Sequence, residues 1–173
     1  MSTVDLTLLG ILMNKPMNAY EIKKKMEFMQ IRRWTKISSP AVYKNLVNLH
    51  RRGYLDAETV RESEMPEKTV YTVNEKGKMH FRILMEKLCQ NPGTVYIEFT
   101  TLIAHLNKLE KPEALRMLSE LEENLTLTLE SLHAAQKGRE ELPEANAIIG
   151  LYADMYELFC NWIRQYRQRF TIL

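Results

Sequence analysis

The chain has 173 residues, 45% of them apolar and 27% charged, which is typical of an ordered globular protein with one or two small domains. No run of about 18 apolar residues occurs, no signal peptide is recognisable, and the two cysteines, Cys89 and Cys160, are isolated. We therefore expect no membrane span and no disulfide framework, and we predict a cytoplasmic protein. Residues 1–91 contain 16 Lys/Arg and 10 Asp/Glu (+6) and residues 92–173 contain 8 and 12 (−4), so a polyanionic partner should bind the first half.

The first two predicted helices cover about residues 4–14 and 19–29. Asn18 followed three residues later by Glu21 forms a capping box that starts the second helix. Apolar spacing predicts the buried faces, which are Leu6, Leu9, Leu12 and Met13 in the first helix and Ile22, Met26 and Met29 in the second. A connector from residue 31 to 38 follows, in which Trp34 should cover the small core.

The third predicted helix has a marked start and a marked end. Ser39 is placed to cap its first free N–H groups, and the following proline, Pro40, fits a position that needs no N–H donor. Gly53 stands where helices end in a left-handed residue. Val42, Leu46 and Leu49 form one narrow apolar stripe, so the opposite side of this helix should face outward.

The outward side of the third helix is basic. It carries Lys44, Val47, Asn48 and Arg51, with Ala41 and Tyr43 at its margins. Between residues 28 and 55 there are six Lys/Arg and no Asp or Glu. Cations, an amide and an aromatic ring are groups that reach phosphates and base edges, so the helix is a candidate DNA-recognition helix. The competing interpretation is an ordinary solvated helix face.

After Gly53 the apolar period changes from 3.6 to about 2. Residues 54–60 and 68–73 alternate as two strands, joined by a polar turn over residues 62–67. Asn74 or Thr72 then caps a fourth helix over about residues 75–88. Three helices followed by a β-hairpin is the order of a winged helix-turn-helix.

These segments also resemble a known family. The run L-T-L-L-G-I-L, then P-M-N-A-Y-E-I, S-S-P-A-V-Y-K-N-L, L-x-R-R-G-Y-L and V-Y-T-V-N-E-K-G are similar to the PadR family of bacterial transcriptional regulators, over about residues 6–77. The resemblance implies DNA contacts from Tyr20, Ser39, Tyr43, Lys44 and Asn48, with Lys68 on the wing. It also implies a C-terminal helical dimerisation domain, repression as the more common outcome, and small-molecule effectors such as phenolic acids or hydrophobic drugs.

The wing departs from a phosphate-binding pattern, because it has more acidic than basic residues. Its basic residues are Arg61 and Lys68, and its acids are Asp56, Glu58, Glu62, Glu64 and Glu67.

The domain boundary is predicted at Gln90–Gly93, where Pro92 and Gly93 end the preceding helix. The predicted domains are a winged helix-turn-helix over residues 1–91 and an antiparallel, coiled helical dimerisation domain over residues 92–173. The fold is therefore mainly α with a small β-hairpin.

The second domain should have three helices, and the second of these should start at Lys111-Pro112. Their apolar positions are Val95, Phe99, Leu102, Ile103, Leu106 and Leu109 in the first helix, and Ala114, Leu118, Leu121, Leu125, Thr128, Leu132 and Ala135 in the second.

The third of these helices, about residues 143–170, carries two apolar rows. One is Ile148, Tyr152, Met155, Phe159, Trp162 and Tyr166, and the other is Ile149, Tyr156, Ile163 and Phe170. Two rows make a stripe too wide for one neighbour, so we expect one row to pack within the chain and the other on a second subunit. A monomeric hairpin with a thick core is the alternative. The predicted dimerisation residues are Leu118, Leu125, Tyr152, Met155, Tyr156, Phe159, Trp162, Ile163 and Tyr166.

No catalytic motif or nucleotide-binding loop occurs, and His80 and Cys89 should lie on opposite sides of one helix, so we expect neither an enzyme nor a metal or cofactor.

The sequence predicts a homodimeric DNA-binding regulator that binds a palindromic operator. Lys44 and Asn48 should read bases, while Ser38, Ser39, Tyr43, Arg51 and Arg52 should hold phosphates. Lys36 is a further candidate DNA contact. A small aromatic effector could bind a cleft of Tyr152, Met155, Tyr156, Phe159, Cys160 and Trp162. The alternatives are a winged-helix protein–protein adaptor and a small-molecule carrier.

Overall fold

The computed structural model describes residues 3–29, 31, 37–61, 67–137 and 143–172. The chain divides into two compact units, Met1–Thr94 and Val95–Leu173. In the part of the chain that is described, no helix has both the length and the apolar character that crossing a bilayer requires. Each unit has its own hydrophobic core.

The first unit is a winged helix with a small sheet. Its elements in chain order are α1 (Thr3–Leu12), β1 (Met17–Asn18), α2 (Ala19–Phe28), α3 (Ser39–Arg51), β2 (Leu55–Val60), β3 (Lys68–Val73) and α4 (Glu75–Gln90). The antiparallel sheet has the order β1-β3-β2, with Tyr71 of β3 opposite both Met17 and Ala57. The mainly α architecture with a β-hairpin is confirmed. The two-residue strand β1 was not predicted, because two residues are too few to show an alternating pattern.

The core of the first unit confirms the predicted stripe of α3, since Val42, Leu46 and Leu49 are buried. The predicted face of α1 was partly wrong. Leu6 is only half-buried and Met13 is exposed, whereas Leu8 and Ile11 are buried together with Leu9 and Leu12. The reason is that α1 contacts α2, α3, α4 and β3, so it is covered on more than one side, and that it ends before Met13.

The helix ends follow local chemistry. The capping box of α2 is present, with Glu21 N–H donating to Asn18 Oδ1 at 3.0 Å and Asn18 N–H donating to the Glu21 carboxylate at 2.9 Å. The N-cap of α3 is Ser38 and not Ser39, because Ala41 N–H donates to Ser38 Oγ at 3.3 Å. Gly53 adopts a φ of +75°, as predicted for the residue that follows the helix. Trp34 and the hairpin turn 62–66 lie outside the described residues.

The second unit consists of α5 (Thr100–His105), a short 3₁₀ turn (Leu106–Lys108), α6 (Lys111–Gln136) and α7 (Pro143–Ile172). Thr126 contacts Cys160 and His133 pairs with Glu157, so α6 and α7 run antiparallel. The predicted first helix was too long, since α5 begins at Thr100 and Val95 is 75% exposed. The preceding residues Thr94–Ile97 include three β-branched side chains, which lose rotamer freedom in a helix.

The two apolar rows of α7 differ in burial. Ile149 and Ile163 of one row are buried, together with the neighbouring Ala153 and Cys160, whereas Tyr156 and Phe170 of that row are half-buried. Residues of the other row remain partly accessible, and they are Ile148, Tyr152, Met155, Phe159, Trp162 and Tyr166. Three of the predicted dimerisation residues need correction. Leu118, Leu125 and Ile163 are enclosed by the helices of their own unit, so they belong to its core and present no surface to a second chain.

Candidate nucleic-acid interface

The outer face of α3 (Tyr43, Lys44, Val47, Asn48 and Arg51) is presented to solvent because Val42, Leu46 and Leu49 fix the opposite side in the core. Tyr43 is 63% exposed and Val47 is 40% exposed, while Lys44 and Arg51 are exposed and Asn48 is half-buried. The Arg51 guanidinium donates to the Asn48 side-chain oxygen at 3.4 Å, so these two groups lie side by side. This face can therefore offer two cations, an amide and a phenol to a ligand.

One other contact ties α3 to the sheet. His50 Nδ1 lies 2.8 Å from the carbonyl oxygen of Leu55, and since a carbonyl only accepts, the imidazole N–H is the donor. Burial raises the pKa of the Tyr71 phenol in β3, and the neighbouring Tyr43 raises it further. Tyr43 thus lies near the sheet, at the margin of the outer face.

Arg52 is placed differently from Arg51. Its Nη1 lies 3.2 Å from Oδ2 of Asp5 in the first turn of α1, and its guanidinium stands 4.9 Å from the ring centroid of Tyr54. Sequence reasoning did not find this role for Asp5. The available signal was the single acid of α1, at a position that the structure buries.

A ring stack continues from this ion pair into α4. Tyr54 and His80 are stacked with their centroids 4.1 Å apart, and Lys76 Nζ lies 5.4 Å from the Tyr54 ring. Burial lowers the pKa of His80, and the positive charges of Arg52 and Lys87 lower it further against the opposing effect of Asp5. The lowered pKa favours the neutral form of His80 beside the cations Arg52 and Lys76.

The other predicted DNA contacts have separate locations. Tyr20, in the first turn of α2, is 72% exposed and lines a shallow depression together with Lys15, Met17, Glu21, Lys24, Lys25 and Phe28. Ser38 is exposed at the start of α3, and Lys68 is half-buried at the first position of β3. The side chain of Ser39 and the whole of Lys36 lie outside the described residues.

The wing is acidic where it is described. Asp56 and Glu58 are exposed on β2, an edge strand of the sheet, and Glu67 is exposed before β3. The Asp56 carboxylate accepts a hydrogen bond from the Asn74 side-chain amide at 3.0 Å. Repulsion between these carboxylates and phosphates disfavours a close approach of the wing's outer strand to a DNA backbone.

The second unit contains a small apolar cleft of about 210 Å³. It is lined by Ile97, Phe99, Thr100, Leu158, Phe159 and Trp162. Of the six residues predicted to form an effector cleft, Phe159 and Trp162 belong to this lining, whereas Cys160 is buried in the core. Within the described residues, no group of three His, Cys, Asp or Glu side chains could hold a metal ion.

Comparison with known proteins finds a similarity for the first unit. Residues 8–83 match the model of the "Transcriptional regulator PadR-like family". No curated protein sequence matches the chain.

Solved structures resemble the chain over nearly its whole length. Bacillus subtilis PadR in complex with operator DNA has a TM-score of 0.84 at 16% identity, covering 98% of each chain. The same protein in complex with p-coumaric acid has a TM-score of 0.85 at 15% identity, covering 98% of this chain and 99% of that one. The Vibrio cholerae virulence activator AphA has a TM-score of 0.70 at 15% identity, with coverage of 98% and 99%. At these identities the likeness shows the fold, a winged helix followed by C-terminal helices.

Proposed function

We propose that this chain is a PadR-like transcriptional regulator, as the match of residues 8–83 to that family's model supports, and that it is a sequence-specific DNA-binding regulator acting as a homodimer. The observation that carries the proposal is the outer face of α3. It is held outward by a fully buried apolar stripe, and it is the middle of a stretch of 28 residues, 28–55, that contains six Lys/Arg and no acid. A solvated surface helix normally balances its cations with acids.

In the proposed complex, α3 enters the major groove. Lys44 and Asn48 read base edges, since a lysine recognises guanine acceptors and an amide pairs with adenine. Ser38, Ser39, Tyr43 and Arg51 hold phosphates, which fix the position of the helix along the duplex. Tyr20, Lys36 and Lys68 contact the backbone at the flanks, and the acidic outer strand of the wing stays away from it.

The dimer rests on the partly accessible row of α7. Phe159 meets Phe99 edge to face at 5.3 Å, and Trp162 stacks on Tyr166 at 5.1 Å, so the row is an ordered aromatic surface. Covering large apolar side chains contributes roughly 1.5–3 kcal/mol each, which is the driving force for pairing two copies. Twofold pairing presents two recognition helices about 34–36 Å apart, one turn of DNA, and so selects a palindromic operator.

The test of DNA recognition is selection of bound duplexes from a random pool, followed by gel-shift titration of the selected sequence. We expect a palindromic consensus. Replacing Tyr43 and Lys44 by Ala should abolish binding to it, whereas Lys108→Ala, which removes an exposed lysine of the other unit, should leave binding unchanged. Retained binding by the Tyr43/Lys44 variant would refute the assignment of α3. A pool without consensus would instead favour the protein–protein adaptor.

Repression and release by a small molecule are parts of the same proposal. One fold neighbour was solved with p-coumaric acid, and another is described as a virulence activator, so the sign of regulation needs its own measurement. Transcription in vitro from a promoter carrying the selected operator should fall on addition of the protein. Calorimetry with neutral and acidic aromatic compounds tests ligand binding. Phe159→Ala, which removes part of the lining of the apolar cleft, is the variant for comparison. Ligand binding without specific DNA binding would identify a carrier.

A further inference from the structure

We propose that Asp5, acting through Arg52, positions the C-terminal end of α3, so that of two adjacent arginines only Arg51 contacts DNA. The proposal rests on the proposed function, and it assigns a role to a residue outside the recognition helix. Its basis is the geometry around Arg52, which departs from that of Arg51 although the two residues are neighbours of the same type.

The first part of that geometry is the ion pair. The Asp5 side chain is only 9% exposed, and a carboxylate in such a position needs a cation or hydrogen-bond donors to offset its lost hydration. Arg52 supplies one cation, with Nη1 at 3.2 Å from Oδ2. Asp5 lies in the first turn of α1, so the pair connects the start of α1 to the end of α3 across 47 residues of sequence.

The second part is the contact of Arg52 with α4. The carbonyl oxygen of Arg52, which is the C-cap of α3, accepts a hydrogen bond from Lys76 Nζ at 3.2 Å. A cation at this place interacts favourably with the negative end of the α3 dipole. The Arg52 guanidinium and Lys76 Nζ also lie over the Tyr54 ring, at 4.9 and 5.4 Å from its centroid. Arg52 is therefore held through both its side chain and its main chain.

Arg51 has a different environment. Both arginine side chains are exposed, but the Arg51 guanidinium lies beside Asn48 on the outer face, whereas that of Arg52 lies against Asp5 and Tyr54. One residue along a helix is a rotation of about 100°, which is enough to direct one arginine to α1 and the other to the ligand side. The double-arginine sequence thus combines a positioning residue and a phosphate-binding residue.

The salt dependence of DNA binding separates the two roles. Each phosphate contact contributes about 0.9 to the slope of log K against log salt concentration. For the full chain and the selected operator duplex, Arg51→Ala should reduce this slope by about one. Arg52→Ala should reduce the operator affinity and leave the slope unchanged. A slope reduced by about one in Arg52→Ala would overturn the proposal.

Asp5→Asn gives a second test, because it should affect the affinity for the operator and the affinity for a scrambled duplex differently. It removes the charge that holds Arg52, so the end of α3 shifts and affinity for the operator should fall about tenfold, the effect of roughly one lost base contact. Affinity for a scrambled duplex should stay the same or rise, because the released Arg52 becomes available to phosphates. Loss of folded protein would lower both affinities equally, and that outcome, or an unchanged operator affinity, would contradict the proposal.

Glu75→Gln is the matched control, because it removes one negative charge from an exposed carboxylate of the same unit that pairs with Lys78 at 2.6 Å. It should raise both affinities slightly and keep their ratio. Failure of the underlying function is distinguishable, because the wild-type chain would then show no preference for any duplex. If only the present proposal fails, the wild-type chain keeps that preference. The DNA affinities and salt slopes of the Arg52 and Asp5 variants then differ from those expected.

Discussion

The imidazole ring of His80 lies flat on the phenol ring of Tyr54, with centroids 4.1 Å apart and ring planes inclined by 3°. Tyr54 follows the end of α3, and His80 belongs to α4. The stack therefore connects the C-terminal end of the candidate recognition helix to α4. Burial lowers the pKa of His80 below its ordinary value of 6.5, and Arg52 adds to the effect. The folded unit therefore takes up a proton at this ring less readily than the unfolded chain does.

The pH dependence of stability should report this difference. Because the pKa of His80 is depressed in the folded state, the unfolded chain binds more protons as the pH falls below about 6.5, and folding becomes less favourable. Glutamine at position 80 cannot be protonated, so the wild type should lose stability relative to His80→Gln between pH 7 and pH 5. Denaturant unfolding of both proteins across this range measures it. Parallel curves would show that His80 is not the group responsible.

Gly77 is predicted to tolerate no larger residue. A Cβ at this position, in the first turn of α4, would overlap the carbonyl oxygen of Tyr54 and lie 2.9 Å from Cγ1 of Val73. The Gly77 N–H also donates to the Asn74 cap at 3.0 Å, so the backbone has little freedom to move away. Gly77→Ala should destabilise the first unit by about 1–3 kcal/mol or more, as overpacking does.

Gly150→Ala is the matched control in thermal unfolding. Among the described residues, its added Cβ would meet only Gln136 Nε2, the flexible end of a side chain, at 3.2 Å. Alanine is favoured over glycine in a helix by about 1 kcal/mol, so this variant should be neutral or more stable. An equal loss in both variants would mean that contact with Tyr54 is not the cause.

Features that depend on residues close together in the sequence could be predicted from the sequence alone. The Asn18–Glu21 capping box, the left-handed Gly53 and the stripe of Val42, Leu46 and Leu49 each depend on residues a few positions apart, where the periods of helix and turn apply. The cap of α3 shows the limit of this reasoning. Ser38 and Ser39 are chemically equal, and only the backbone conformation decides that Ser38 is the cap.

Features set by distant residues were not accessible. The helical period places Arg51 on the outer face, but no residue near Arg52 in the sequence indicates its partner Asp5, which lies 47 residues before it. In the same way, the spacing of α7 shows two apolar rows but does not tell which row α6 covers. The core contacts of Ile163 and Cys160 decide that question. The assignment of Leu118 and Leu125 to a dimer surface was wrong for this reason.

Glu122 should stabilise the pairing of α6 with α7. Its carboxylate is 17% exposed and lies 3.3 Å from Arg164 Nε and 3.2 Å from Arg167 Nη2. Water reaches both arginines, so we expect Glu122→Gln to cost only about 1 kcal/mol in free energy of unfolding. Glu120→Gln breaks an exposed pair with Arg116 on the same helix and should change stability by less than about 0.5 kcal/mol. Equal effects would show that partial burial adds nothing to the Glu122 pair.

Trp162 tests whether the accessible row of α7 joins two copies of the chain. Trp162 is 40% exposed and stacks on Tyr166, whereas the next residue, Ile163, is fully buried in the core of the unit. A tryptophan at the centre of an interface contributes about 2 kcal/mol or more when it is removed, which is about a thirtyfold rise in the dimer dissociation constant. A buried negative charge adds to this cost.

We therefore expect Trp162→Glu to sediment as a folded monomer at concentrations where the wild-type chain is a dimer. Ile172→Glu, which introduces the same charge at a position 85% exposed near the end of α7, should leave the dimer intact. Ile163→Ala should instead lower the melting temperature, because a cavity in the core costs about 2–5 kcal/mol. The monomeric variant should also bind the palindromic operator more weakly than the wild type, since one recognition helix replaces two. A wild-type chain that sediments as a monomer at micromolar concentration would contradict the dimer and the palindrome together.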